Sequence, residues 1–374
     1  MKTPVLTDEQ TLTEVIECLL EHVSITMQGE CTEETLFTVL TRAASTSESI
    51  EHTCNTLEDA PTGGDIRHHL NTCDDMPTME QEINAALQSR LPGGLLKRAQ
   101  RLAIDLNLQP YYGEPSPEDE VYISRSKAHA GTCSFYAYAT SYVICKGKRV
   151  TLAVTPVRRD DTMVGIISRL IARCTTLGLR IKRVYLDRGF FSVPVIRWLL
   201  EQEIPFEMPV IIRGKSGGTR QLLNGGKSYK TRYTMTSQTY GSVTFDVWVV
   251  CVYLNGRHGK HGRQYLAYAV HRVPFGLRAL YQDYRRRFGI ESSYRLKNTC
   301  RINTTMTNPV VRFLFFAIAF VLIDVWVFLL WTFVSHPRRG GRLIIRALFP
   351  LKRMLEFLRQ AIDRKYHTRD TIFL

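Results

Sequence analysis

Apolar positions along residues 1–90 recur at three- and four-residue spacing, which predicts helices over 9–27 and 32–43. A third helix over 47–59 stops at Pro61-Thr62-Gly63-Gly64, and Asp65 is placed to cap a short helix through His69. Helix, glycine-containing turn, helix is the outline of a helix-turn-helix; a helical bundle that touches no DNA fits the pattern equally. Residues 71–79 read as a linker and 80–91 as a further helix. After Pro92-Gly93-Gly94 the period changes. Residues 101–106 form a short apolar strand that contains an Asp, and 133–145 and 148–157 form a hairpin about a Lys146-Gly147 turn. An amphipathic helix over 162–177 ends at Gly178, followed by a strand over 181–186, Asp187, a helix over 193–201 and a strand over 206–212. This alternation predicts an α/β fold with a mixed sheet flanked by helices.

Residues 214–270 break the alternation. Glycine-rich turns separate β-like runs at 229–235, 242–253 and 264–270, a β-rich insertion whose basic tip is Arg257-His258-Gly259-Lys260-His261-Gly262-Arg263. A helical pattern resumes over 277–298, and the tail contains one helix over 351–365. Five segments are therefore expected: an all-α N-terminal domain (1–95), a first α/β part (96–213), the insertion (214–272), a second part of the same α/β domain (273–335) and a basic helical tail (336–374).

Residues 313–323 are eleven apolar residues in a row, and the run continues past Asp324 through 331. That length suffices to span a bilayer. A carboxylate at mid-span costs about 2.5–3.5 kcal/mol on insertion scales, which favours a helix buried within the protein, with no membrane and with an arginine such as Arg312 as the partner of Asp324.

The chain of 374 residues has a net charge of +14, unevenly spread. Residues 1–90 hold 4 Lys/Arg against 17 Asp/Glu, and the remainder 45 against 18. A polyanion, nucleic acid above all, is therefore expected on residues 91–374. Nine cysteines without a CxxC pair or regular Cys/His spacing argue against a zinc module and suit a reducing cytoplasm, where a DNA partner would place the protein at the nucleoid.

The chemistry rests on three carboxylates. Asp105 lies on the first strand, Asp187 directly follows the strand over 181–186, and Glu291 lies on the helix beyond the insertion. If the two strands are neighbours, these groups form an oxygen-rich cage for two hard divalent ions, Mg²⁺ or Mn²⁺. Tyr284, Arg287, Glu291, Tyr294 and Asn298 are spaced by 3, 4, 3 and 4 and share a helical face, with Arg295 beside them. A solvated Arg287–Glu291 ion pair is the plainer reading of that face alone.

Ala103-Ile104-Asp105, Tyr185-Leu186-Asp187-Arg188-Gly189-Phe190 and Tyr284-x2-Arg287-x3-Glu291 resemble the insertion-sequence DDE transposases of bacteria and archaea, over about residues 98–335. The resemblance implies a ribonuclease H-like catalytic domain, often with a β-rich insertion between the second Asp and the Glu. It implies that Asp105, Asp187 and Glu291 are the catalytic, metal-binding triad and that Tyr284 and Arg287 place DNA phosphates, with Arg188 beside them. The related pattern puts a Lys seven residues after the Glu; here that position is Asn298, which leaves Lys297 or Arg295 for that contact. It further implies a homodimer acting on element ends and target DNA. A related nuclease and an inactive DNA-binding derivative are the alternatives.

Other motifs are weaker. Lys215-Ser216 lacks the preceding glycine spacing of a phosphate loop. His258 and His261 read as phosphate-contacting or solvated loop residues, His68-His69 as structural, and Tyr111-Tyr112-Gly113 as either a site mouth or turn packing.

Overall fold

The computed structural model describes residues 5–256, 261–339, 341–369 and 371. The helices of the first ninety positions form where the apolar spacing places them, with some ends moved: α1 (Asp8–Leu20), α2 (Glu33–Thr46), α3 (Ile50–Thr56), α4 (Gly63–Asn71) and α5 (Met76–Ser89). Thr7 and Thr62 start α1 and α4 with capping boxes. Thr62 is thus the N-cap in place of the expected Asp65, whose carboxylate accepts the Thr62 backbone N–H. Helix α5 begins inside the expected linker, because Asp75 caps it through the Thr78 N–H.

Nine strands build one mixed sheet. Strands β1 (Gln100–Tyr111), β2 (Ile123–His129), β3 (Thr132–Val143), β4 (Thr151–Pro156), β5 (Ile181–Leu186) and β6 (Phe206–Pro209) alternate with α6 (Met163–Thr176) and α7 (Val193–Glu201). The order β4-β3-β1-β5-β6 has β1 antiparallel to β3 and parallel to β5, the ribonuclease H-like core. Strand β2, which the periodicity did not predict, shares the outer edge of β3 with β4.

The β-rich segment does not stand apart from this sheet. Strands β7 (Tyr229–Ser237), β8 (Gly241–Asn255) and β9 (His261–His271) continue it in the order β6-β9-β8-β7, because β9 pairs antiparallel with β6. Beyond it come α8 (Leu277–Tyr284), α9 (Phe288–Asn298), α10 (Pro309–Thr332), a hairpin of β10 (Ser335–Arg338) and β11 (Gly341–Ile344), and α11 (Leu351–Tyr366).

Helix α10 has the length and composition to cross a membrane, yet 94% of its most apolar stretch is buried inside the protein. It packs against α5, α9 and β4. Asp324, 2% exposed, accepts the Thr151 N–H at 3.1 Å through Oδ1. Its partner is thus a backbone amide and not the expected Arg312, whose Nε donates to the Met306 carbonyl. Helix α5 covers the same edge of β4: Asn84 exchanges two hydrogen bonds with the Val154 backbone, and Gln88 donates to Leu152 O. An exposed edge strand would offer those groups to another chain.

The acidic start of the chain meets its basic tail. Arg42, 5% exposed, binds Asp363 at 2.7 Å, Arg364 binds Asp8 at 2.6 Å and Lys365 binds Glu34 at 2.6 Å. Helix α11 thus lies on α1 and α2, and part of the charge split is satisfied within the chain.

Candidate active site

The parallel register pairs Ala103 with Tyr185 and Ile104 with Leu186, so Asp105 and Asp187 come next, side by side at the carboxyl ends of β1 and β5. Asp105 stays in the strand, paired with Thr140 of β3, and Asp187 opens the tight turn Arg188–Phe190. Opposite them the expected helix over 277–298 is interrupted. Helix α8 ends at Tyr284, Arg285–Arg287 form one 3₁₀ turn, and α9 starts at Phe288. Tyr284 donates its hydroxyl to Leu186 O at 3.0 Å, and the Tyr294 hydroxyl meets Thr140 Oγ1 at 2.7 Å. These bonds hold both helices over β5 and β3.

The three carboxylates converge on one guanidinium. Arg287 lies 3.3 Å from Asp105, 3.6 Å from Asp187 and 3.2 Å from Glu291. Its own exposure is 7%, and its Nε has no partner. Burial works against its charge, but Tyr284 and the three acids hold it protonated, above the ordinary arginine value. Burial also pushes the Asp105 carboxyl up to about 6; Arg287 opposes this, and Asp187 and Glu291 add to it. One guanidinium shared among three acids does not offset the desolvation of the most enclosed of them.

Three expected phosphate contacts are not on the surface: Arg287, turned to the carboxylates, Tyr284 and Lys297. Tyr284 is 6% exposed, and its hydroxyl is spent on Leu186. Lys297 is 3% exposed, with its ammonium 4.9 Å from the Phe316 ring centroid. Burial there lowers its pKa to about 8, helped by Arg301. The reason is the rotation between neighbouring helical positions, about 100° per residue, which turns Lys297 towards the aromatic side of α10. Arg188, Arg295 and Asn298 are exposed, whereas Arg287 faces inward.

None of the other described candidates pairs with Arg287 or the three carboxylates. His258 falls outside the described residues, and His261 is exposed. His68 and His69 pack edge to face. Tyr111 is buried edge-on against Tyr136, and Tyr112 bonds the Ala130 carbonyl, so both serve turn packing.

A buried network beneath the carboxylates escaped the reading of the sequence. Asp283 of α8 receives Arg183 and Tyr185 at 2.5 Å each, with Arg286 at 3.4 Å and Arg101 at 3.8 Å. Arg183, 1% exposed, also binds Glu207 of β6 at 2.9 Å. Burial pushes Glu207 up to about 8 against the pull of Arg183. The signal was present: Arg101 and Arg183 each stand four positions before a candidate Asp, separated from it by three hydrophobic residues of a strand. Charges in such strands need partners.

Among the described residues no three of His, Cys, Asp and Glu form a ready-made metal cage, since the three acids are arranged around Arg287. By donor chemistry they nevertheless fit hard divalent ions: all are carboxylates, and all face one point of positive charge.

No protein-family model matches the chain, and no curated protein matches it. Among solved structures it is similar to a piggyBac transposase, seen by cryo-EM as a synaptic complex with hairpin DNA. The TM-score is 0.54 at 12% identity, over 98% of this chain and 79% of that one. That neighbour supports a transposase fold in general and not the insertion-sequence group that the motifs resemble. The chain has a transposase-like fold, built on a ribonuclease H-like sheet, from its first helix to its last.

Proposed function

We propose that this protein is a DDE-type DNA transposase that cleaves the ends of its own element and joins them to target DNA. The observation that carries the reading is the meeting of Asp105, Asp187 and Glu291, from two neighbouring strands and a helix, around one point at the carboxyl ends of β1 and β5. Those three side chains would hold two divalent ions, Mg²⁺ or Mn²⁺. When bound, such ions activate an attacking oxygen and stabilise a leaving oxygen on phosphorus.

The chain's own residues supply the rest. Exposed Arg188 and Arg295 flank the carboxylates and would pair with backbone phosphates of double-stranded DNA. Tyr284 and the Asp283 network hold α8 at a fixed height over β5, so Glu291 faces the two aspartates. In the first step water attacks phosphorus and the element's 3′ oxygen leaves as a hydroxyl. In the second that hydroxyl attacks a target phosphodiester and displaces a target 3′ oxygen, with no protein–DNA bond. Two ends must be held together, so a homodimer on DNA is part of the proposal. The insertion-sequence origin rests on the motif resemblance and is proposed on that ground alone.

The test uses the full chain, Mg²⁺ and DNA carrying the sequences that flank its gene. The wild type should nick and join. Asp105→Asn, Asp187→Asn and Glu291→Gln should each abolish both reactions and retain DNA binding, while Glu201→Gln, at the exposed end of α7, should behave as wild type. Normal nicking by Glu291→Gln would overturn the assignment. Nicking without joining would point to a related nuclease, and DNA binding without nicking to an inactive derivative.

A further inference from the structure

The position of Arg287 suggests more than phosphate contact. Its guanidinium is buried, faces all three carboxylates within 3.6 Å, and stands where positive charge is needed to offset them. Three acids gathered at one place repel one another, and two of them remain partly open, Asp187 at 41% and Glu291 at 38% side-chain exposure. A guanidinium, with a rigid planar fork of five donors, bridges several carboxylates over a wider span than the compact three-donor ammonium of a lysine. Arg287 also sits in the 3₁₀ turn between α8 and α9, at the end of the turn and not inside a long helix.

We propose that Arg287 is an internal counter-ion that closes the carboxylate site in the free protein, so that divalent ions bind only by displacing it. The inference rests on the reading of the three acids as metal ligands. Once displaced, the guanidinium requires another anion, and a phosphate of bound DNA supplies one. Metal and DNA binding are then coupled: DNA raises metal affinity by drawing Arg287 away, and metal raises DNA affinity by releasing it. The consequence is a site that stays closed until DNA is present.

The experiment measures Mn²⁺ binding to the full chain by electron paramagnetic resonance of free Mn²⁺, with thermal melting in parallel. Arg287→Gln should bind Mn²⁺ about tenfold more tightly than wild type without DNA. It should melt lower than wild type in chelator, since three acids lose their counter-charge. Arg287→Lys should fall between the two, and carries the test if the Gln variant does not fold. Asp105→Asn should weaken Mn²⁺ binding in either background. A short DNA duplex should raise Mn²⁺ affinity more in wild type than in Arg287→Gln. If Asp105→Asn weakens Mn²⁺ binding but Arg287→Gln and Arg287→Lys do not strengthen it, the counter-ion role is wrong and the metal site stands. If Asp105→Asn leaves Mn²⁺ binding unchanged, the metal site itself is wrong and the proposal falls with it.

Discussion

Tyr284 donates its hydroxyl to the carbonyl oxygen of Leu186 at 3.0 Å, tying the last residue of α8 to the residue just before Asp187. The bond is buried and joins positions 98 residues apart, so it fixes the spacing between two parts of the candidate site. Tyr284→Phe removes the donor and leaves the ring in place. Stability should fall by about 0.5–1.5 kcal/mol, as read by urea unfolding. DNA nicking should fall further than that loss alone accounts for, because Glu291 loses its reference to the strand. Unchanged nicking at reduced stability would show that the bond serves the fold only.

Surface arginines beside the site should carry DNA affinity. Arg188→Ala and Arg295→Ala each remove an exposed cation. Each should weaken binding of an arbitrary duplex and reduce the slope of log affinity against log salt by about one phosphate contact. Lys297→Met should leave that slope unchanged, since Lys297 is enclosed against Phe316. Fluorescence anisotropy across a salt series separates the three.

Helix α10 should behave as core. Phe316 stacks on Tyr138 with centroids 4.3 Å apart, and Leu322 has no exposed surface. Phe316→Ala should cost about 3–5 kcal/mol and Leu322→Ala about 2–5 kcal/mol in chemical unfolding, with loss of soluble yield. A loss below about 1 kcal/mol at both positions would contradict the packing described.

Asp324 should make stability depend on pH. Burial holds its carboxyl well above the ordinary value of 3.8, against the single hydrogen bond from the Thr151 N–H. In the unfolded chain the group ionises near 3.8, so between that pH and its raised folded value the native state holds the extra proton. Stability from this group is therefore greatest at low pH and is lost as pH rises through the window. Asp324→Asn keeps the shape without the charge. It should unfold at higher urea than wild type at pH 8, and its stability should change less between pH 5 and pH 8.

Chain order and periodicity alone determined which elements hold the three acids. Asp105 on a strand, Asp187 just after another and Glu291 on a helix follow from local patterns of period 2 and 3.6, which short segments carry by themselves. The same patterns marked the sheet, the β-rich run and the buried character of residues 313–323, since an apolar stretch with a mid-span carboxylate belongs in a core. Side-chain direction was not legible in this way. Arg287 and Lys297 are both cations near Glu291, yet one is drawn to acids contributed by distant strands and the other is turned under α10. Asp324 found a backbone amide 173 residues away, and Arg42 found Asp363 across 321 residues. The β-rich run joined the main sheet because β9 met the free edge of β6, a pairing that no local spacing specifies. Tertiary structure decided these points because each depends on which remote surface lies opposite, and burial then makes any unpaired charge or backbone group too costly to leave.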